Sequence, residues 1–148
     1  MRTIALWLHI LGAGTWLGAN LLQTIVGPRM ARAEKGALPY FSAIQAASGP
    51  LYGSASVVIL LTGIYLVIDS EVFSFASTFV SIGFAVIIIG GALAGLVFSR
   101  RNKQVVGFLE AGDNSRAAPL IRSIMPWAVL DTLLLAFVIL AMVAKWGA

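Results

Sequence analysis

Residues 75–98, FASTFVSIGFAVIIIGGALAGLVF, decide the fold. This stretch contains no Asp, Glu, Lys or Arg. A hydrocarbon core about 30 Å thick requires roughly 20 mostly apolar residues for a helix to cross it. The stretch is therefore predicted to form a transmembrane helix.

Three further apolar runs resemble it in length, at about residues 3–26, 50–68 and 120–143. The whole chain is 59% hydrophobic and 11% charged, whereas a soluble domain is about half apolar and a quarter charged. The first run exceeds the roughly 7–15 apolar residues of a signal peptide, so we expect it to be retained. The sequence predicts an all-α fold: one transmembrane domain over residues 1–148, forming a four-helix bundle in the lipid bilayer.

Pro39 begins a short helical pattern before the second span, and Gly49-Pro50 interrupts it. The pattern fits either a helix lying in the membrane interface or a kinked extension of the second span.

Basic residues are concentrated in two of the three connections. The first connection holds three Lys or Arg residues, the third holds four, or five with Arg122 at its edge, and the second holds none. Loops rich in Lys and Arg stay on the cytoplasmic side. Both termini are therefore predicted to face outward, although Arg2 and Lys145 oppose this assignment.

The composition also excludes several classes of function. The net charge of +4 comes from basic residues that flank apolar spans, which indicates membrane topology rather than nucleic-acid binding. The chain has no cysteine, so disulfides, thiolate metal sites and cysteine nucleophiles are excluded. Since the sequence carries no recognisable catalytic motif, a non-catalytic role is favoured.

Small residues recur at the spacing that lets transmembrane helices approach each other closely. Three GxxxG pairs are present, Gly14/Gly18, Gly49/Gly53 and Gly91/Gly95. They indicate tight helix packing, either within the bundle or against another subunit.

One face of the first span is polar. His9, Gly12, Trp16, Asn20 and Gln23 recur at spacings of three and four and so share one helix face. Such a face is expected to point into the bundle, where its polar groups hydrogen-bond between helices.

A functional interpretation centres on His9, the only histidine. Neutral imidazole binds haem iron and copper and can relay protons. Met142 is predicted to lie within about one turn of the same depth, so a His9/Met142 axial pair is a geometric option.

Asp131 lies near the centre of the fourth span, where an aspartate costs roughly 2.5–3.5 kcal/mol. Counting depth from the cytoplasmic side places it level with Asn20 and about one turn from Gln23. It is predicted to be a hydrogen-bonded clamp, a proton relay or a contact with a neighbouring subunit.

The segment LHILGAGTWLG, from Leu8 to Gly18, resembles the first span of small bacterial membrane proteins related to copper-resistance protein D. LLTGIYLV and the glycine-rich third span are similar to a four-helix branch of that group without assigned function. The resemblance implies a location in the bacterial inner membrane and a haem b or copper site at His9 and Trp16.

Three functions follow as hypotheses. The first is a non-catalytic subunit or accessory protein of a larger membrane complex, such as a respiratory one, bound to other membrane subunits or to copies of itself. The second is a redox protein that binds haem or copper through His9. The third is a small proton-coupled transporter that uses Asp131.

Overall fold

The computed structural model describes residues 1–33 and 37–147, and this part of the chain is helical with no β-strand. Its six α-helices are α1 (Arg2–Met30), α2 (Ala37–Ala47), α3 (Ser54–Ile68), α4 (Thr78–Leu93), α5 (Arg100–Glu110) and α6 (Asn114–Ala144). A π-helical segment, Ser48–Gly53, joins α2 to α3, and another, Ala94–Ser99, joins α4 to α5. The described residues thus contain four helices long and apolar enough to cross a membrane, which confirms the predicted all-α bundle.

The second and third of these helices include segments that the sequence leaves outside the spans. Ala37–Ile68 is continuous over 32 residues, so the region around Pro39 is an extension of the second span rather than a separate helix. Gly49 and Pro50 fall in the π-helical segment, which accommodates the irregular hydrogen bonding of a proline.

The helix ends differ from those predicted. The first helix runs past Pro28 to Met30, because the proline lies in its last turn and removes only one backbone donor. The third helix does not end at the predicted residue 98 but continues through α5 to Glu110, and α5 buries Asn102 and Val105. Lys35, assigned to the first connection, lies outside the described residues.

The fourth helix begins at Asn114, ahead of the predicted residue 120, because Asp113 caps it. The Asp113 carboxylate accepts hydrogen bonds from the Ser115 hydroxyl at 2.6 Å and from the Arg116 backbone N–H at 3.1 Å. These bonds hold the pKa of Asp113 below its usual value.

The membrane-crossing helices pack in a ring in which α1 contacts α3 and α6, and α6 contacts α4. The contact between α3 and α4 closes the ring and is much looser. We call the end of the bundle that holds Arg2, the loop 69–77 and Lys145 the terminal end. Two apolar cores fill the interior, one near the opposite end around Val105 and Ile121, and one at mid-depth around Trp16 and Leu135.

Glycines that bring helices together are not those of the GxxxG pairs. A Cβ added at Gly12 would lie 2.9 Å from Ile59 Cγ1, so α1 and α3 meet closely there. By contrast, all six glycines of the pairs are exposed with no atom within 4 Å of an added Cβ, namely Gly14, Gly18, Gly49, Gly53, Gly91 and Gly95. All three GxxxG pairs therefore lie on the outside of the bundle.

Candidate functional site

A cavity of about 340 Å³ lies at the terminal end of the bundle, where α3 and α4 diverge. Its volume is within the range of about 300–1,000 Å³ that small-molecule sites occupy. Most of its walls are apolar, and the polar or charged side chains that line it are His9, Arg2 and Lys145. The cavity therefore suits a largely apolar ligand that carries a few polar groups.

His9 is held by α3 through one of its two ring nitrogens. Its Nδ1 lies 3.1 Å from the Ile59 carbonyl oxygen and 3.0 Å from Thr62 Oγ1. A carbonyl oxygen only accepts hydrogen bonds, so the contact with Ile59 is a hydrogen bond when Nδ1 carries the proton. The Thr62 hydroxyl donates to the Val58 carbonyl and is free to accept from His9. In the neutral ring, the lone pair of Nε2 is thus left without a partner among the described residues.

Gly63 makes room for this arrangement. A Cβ at Gly63 would lie 3.2 Å from Cε1 of His9 and 3.6 Å from its Nδ1. The imidazole therefore packs directly against the backbone of α3. Its orientation depends on residue 63 being a glycine, because a side chain there would crowd the ring.

Met142 lines the same cavity as His9, from α6. Its methyl group packs against α4, since a Cβ at Gly83 would lie 2.5 Å from Met142 Cε. The two side chains that depth counting pairs as axial ligands thus line the same cavity.

Trp16 and Asp131 form a separate site at mid-depth. Oδ2 of Asp131 accepts hydrogen bonds from Asn20 Nδ2 at 2.7 Å and from Trp16 Nε1 at 3.3 Å. All three side chains are at least 93% buried. The carboxylate therefore ties α6 to α1 at the depth predicted for it, and Trp16 does not line the cavity of His9.

Gly90 of α4 completes this cluster by close approach. A Cβ there would lie 2.7 Å from Cζ2 of Trp16 and 3.2 Å from Oδ1 of Asp131. Three membrane-crossing helices consequently meet at one buried carboxylate.

Gln23, the last polar residue on the face, does not reach Asp131. Its side-chain amide donates to the Tyr52 hydroxyl of the first π-helical segment. The polar face of α1 thus makes three separate contacts. His9 bonds to α3, Asn20 and Trp16 bond to Asp131 of α6, and Gln23 bonds to Tyr52.

The sequence matches no protein-family model, no curated protein and no solved structure.

The donor set can be compared with what haem and copper require. A ligating histidine usually donates its other ring N–H to a backbone carbonyl or carboxylate, and His9 has this arrangement. Haem needs one or two axial donors, and imidazole with thioether is one established pair. Copper sites commonly recruit three or more N or S donors. Residues 1–33 and 37–147 hold no group of three His, Cys, Asp or Glu side chains placed for a metal, so haem fits His9 better than copper does.

Several residues that shape the cavity are not predicted as site residues from the sequence. Thr62 and Gly63 form the seat of His9, and both lie within LLTGIYLV, so that motif offered a signal. Arg2 and Lys145 are noticed only as exceptions to the charge rule, although both line the cavity.

Proposed function

We propose that this chain is a non-catalytic integral membrane subunit that holds a haem-type cofactor through His9. The observation that carries the proposal is the position of His9 at a mostly apolar cavity, with its Nδ1 in contact with the Ile59 carbonyl oxygen and its Nε2 without a described partner. Met142 supplies a second donor on the same cavity. The subunit resides in the bacterial inner membrane with its terminal end outside.

His9, with Met142 as a second donor, would hold the cofactor, and a haem bound there would supply one-electron transfer. Ile59 and Thr62 hold the imidazole of His9 through its Nδ1, and most of the cavity wall around it is apolar. The identity of the axial ligands sets the reduction potential of such a group.

Optical spectroscopy of the purified protein tests this proposal. Protein expressed in haem-producing bacteria and purified in mild detergent should show a Soret band and haem at close to one equivalent. His9→Gly should lose the band, and added imidazole should restore it by occupying the space of the lost ring. Gln23→Ala, which alters the same face away from the cavity, serves as the control and should keep the band. A wild-type protein that retains no haem after haem is added and the unbound haem is removed would refute the proposal.

Assembly with other membrane helices is supported by a second observation. The three GxxxG pairs all face outward, where they leave the backbone open to a partner helix. Gly14 and Gly18 lie on the face of α1 opposite Trp16, so this surface is independent of the bundle interior.

Three double variants test assembly: Gly14→Leu/Gly18→Leu, Gly49→Leu/Gly53→Leu and Gly91→Leu/Gly95→Leu. Each adds bulk where the fold has open space, so the folded chain should persist, and the variant whose glycine face binds the partner should lose its association. Native mass spectrometry of protein extracted in mild detergent reports the stoichiometry. Unchanged association in all three variants would exclude the glycine faces as the assembly surface.

Transport through Asp131 has no comparable support. The described contacts of its carboxylate are two hydrogen bonds inside the bundle, which suit a clamp between helices.

A further inference from the structure

Arg2 and Lys145 are the two residues that the distribution of basic charge does not explain. Both lie at the terminal end, opposite the basic connections, and both line the cavity. Within residues 1–33 and 37–147 the one ion pair joins Arg116 to Asp113, so neither cation meets a carboxylate there. Two positive charges thus lie at the rim of an apolar cavity.

The backbone at Lys145 is set in an uncommon conformation. Lys145 ends α6 with φ 51° and ψ 46°, a left-handed geometry in which glycine is the favoured residue. The next residue is fixed as well, since the Trp146 carbonyl accepts a hydrogen bond from the Phe79 N–H at 3.1 Å. Lys145 is therefore held between α6 and α4, with its Nζ 5.5 Å from the centre of the Phe73 ring at the cavity wall.

Arg2 is positioned from the other side of the cavity. One guanidinium nitrogen donates to the Asp69 carbonyl oxygen at 2.8 Å, which directs the group over the end of α3. A guanidinium has five N–H donors, so others remain for a ligand. Arg2 precedes His9 by seven residues of one helix, which places its Cα about 10 Å nearer the membrane surface.

We propose that Arg2 and Lys145 bind acidic groups of the molecule in the cavity, so that its ligand is a flat apolar compound with carboxylates at one edge. The apolar walls receive the ring system, and the two cations pair with the carboxylates at the rim. A tetrapyrrole dicarboxylate has this chemistry. The inference rests on the proposed function for the class of ligand. It concerns how the protein binds the carboxylates of the tetrapyrrole, whereas the proposed function concerns how His9 binds the iron.

Metal-free protoporphyrin tests the inference without iron ligation. The protein is placed in nanodiscs of phosphatidylcholine, and fluorescence titration compares the porphyrin diacid with its dimethyl ester. The wild type should bind the diacid about tenfold more tightly than the ester, as expected for charge-assisted pairing at the rim. Arg2→Gln/Lys145→Gln should abolish this preference and leave ester binding unchanged. Arg100→Gln/Lys103→Gln removes the same charge at the opposite end and should change neither affinity.

The outcomes separate this inference from the proposed function. Equal binding of diacid and ester by the wild type, or binding of neither, would overturn the inference. Displacement of the diacid by phosphatidylglycerol at matched affinity would also overturn it, by assigning the rim to a lipid phosphate. A His9-dependent Soret band, together with unchanged binding of the diacid in Arg2→Gln/Lys145→Gln, would support the proposed function and contradict the inference. Rim-dependent binding of the diacid without that band would leave the inference standing alone.

Discussion

Gly90→Ala is expected to destabilise the bundle, whereas its neighbour Gly91→Ala should not. The new Cβ at residue 90 would lie 2.7 Å from Cζ2 and 2.9 Å from Cη2 of Trp16. The indole has little freedom to withdraw, because it is 4% exposed and its Nε1 donates to Asp131. At Gly91 the added methyl group would meet no atom within 4 Å.

The magnitude follows from two opposing effects. Overpacking a filled core costs about 1–3 kcal/mol. Alanine in place of glycine in a helix recovers roughly 1 kcal/mol, and this gain is common to both variants. We therefore expect Gly90→Ala to be less stable than Gly91→Ala by about 1–3 kcal/mol, or roughly 5- to 150-fold in the ratio of folded to unfolded protein.

Reversible unfolding in mixed micelles of dodecyl maltoside and SDS, followed by circular dichroism, measures this difference. Trp16→Phe offers an internal check, since a smaller ring should reduce the cost of Gly90→Ala. If Gly90→Ala proved as stable as Gly91→Ala, the close approach of α4 to Trp16 would be refuted.

Three further outcomes are expected from other parts of the chain. Asp131→Ala leaves two buried donors of α1 unpaired and should lower the free energy of unfolding by about 1–3 kcal/mol in the same assay. Asp131→Asn keeps an acceptor and should recover most of this loss. Equal losses in the two variants would contradict the role of Asp131 as a hydrogen-bonded clamp between α6 and α1. Gly63→Ala crowds the imidazole of His9 and should reduce the haem bound per protein, as read from the Soret absorbance, with Gly53→Ala unaffected as the control. The pKa of Asp113 is lowered in the folded protein, so its ionised carboxylate stabilises the first turn of α6. This stabilisation should be fully present above the ordinary pKa of aspartate and should be lost as the pH falls through the lowered pKa. Amide-exchange protection of that turn should show this loss, and Asp113→Asn should remove the pH dependence.

The sequence predicts most of what depends on length and depth. Long apolar runs define the four membrane-crossing helices, and counting residues from one membrane surface brings Asn20 level with Asp131, where the two side chains bond. The periodicity of the polar face likewise predicts that Trp16 points inward.

What the sequence leaves open depends on the rotation of each helix about its own axis. The contact of His9 with Thr62 requires a particular face of α3 to turn toward α1, and α3 is apolar nearly all round. For the same reason, the sequence does not determine whether the GxxxG pairs face the bundle interior or its outside. The third helix extends beyond the predicted residue 98, because basic residues do not break a helix and α5 continues by burying Asn102.

The two π-helical segments make the bundle sensitive to single-residue changes in length. A π turn holds one residue more than α-helical spacing allows, so the side chains beyond it are rotated by about 100°. The segment Ala94–Ser99 thereby sets the phase between the glycine-rich α4 and the amphipathic α5. Deleting one residue there would turn Asn102 and Val105 away from their buried positions, although no contact of either residue had been altered directly. In this protein the spacing of residues along a helix carries structural information as specific as their identity.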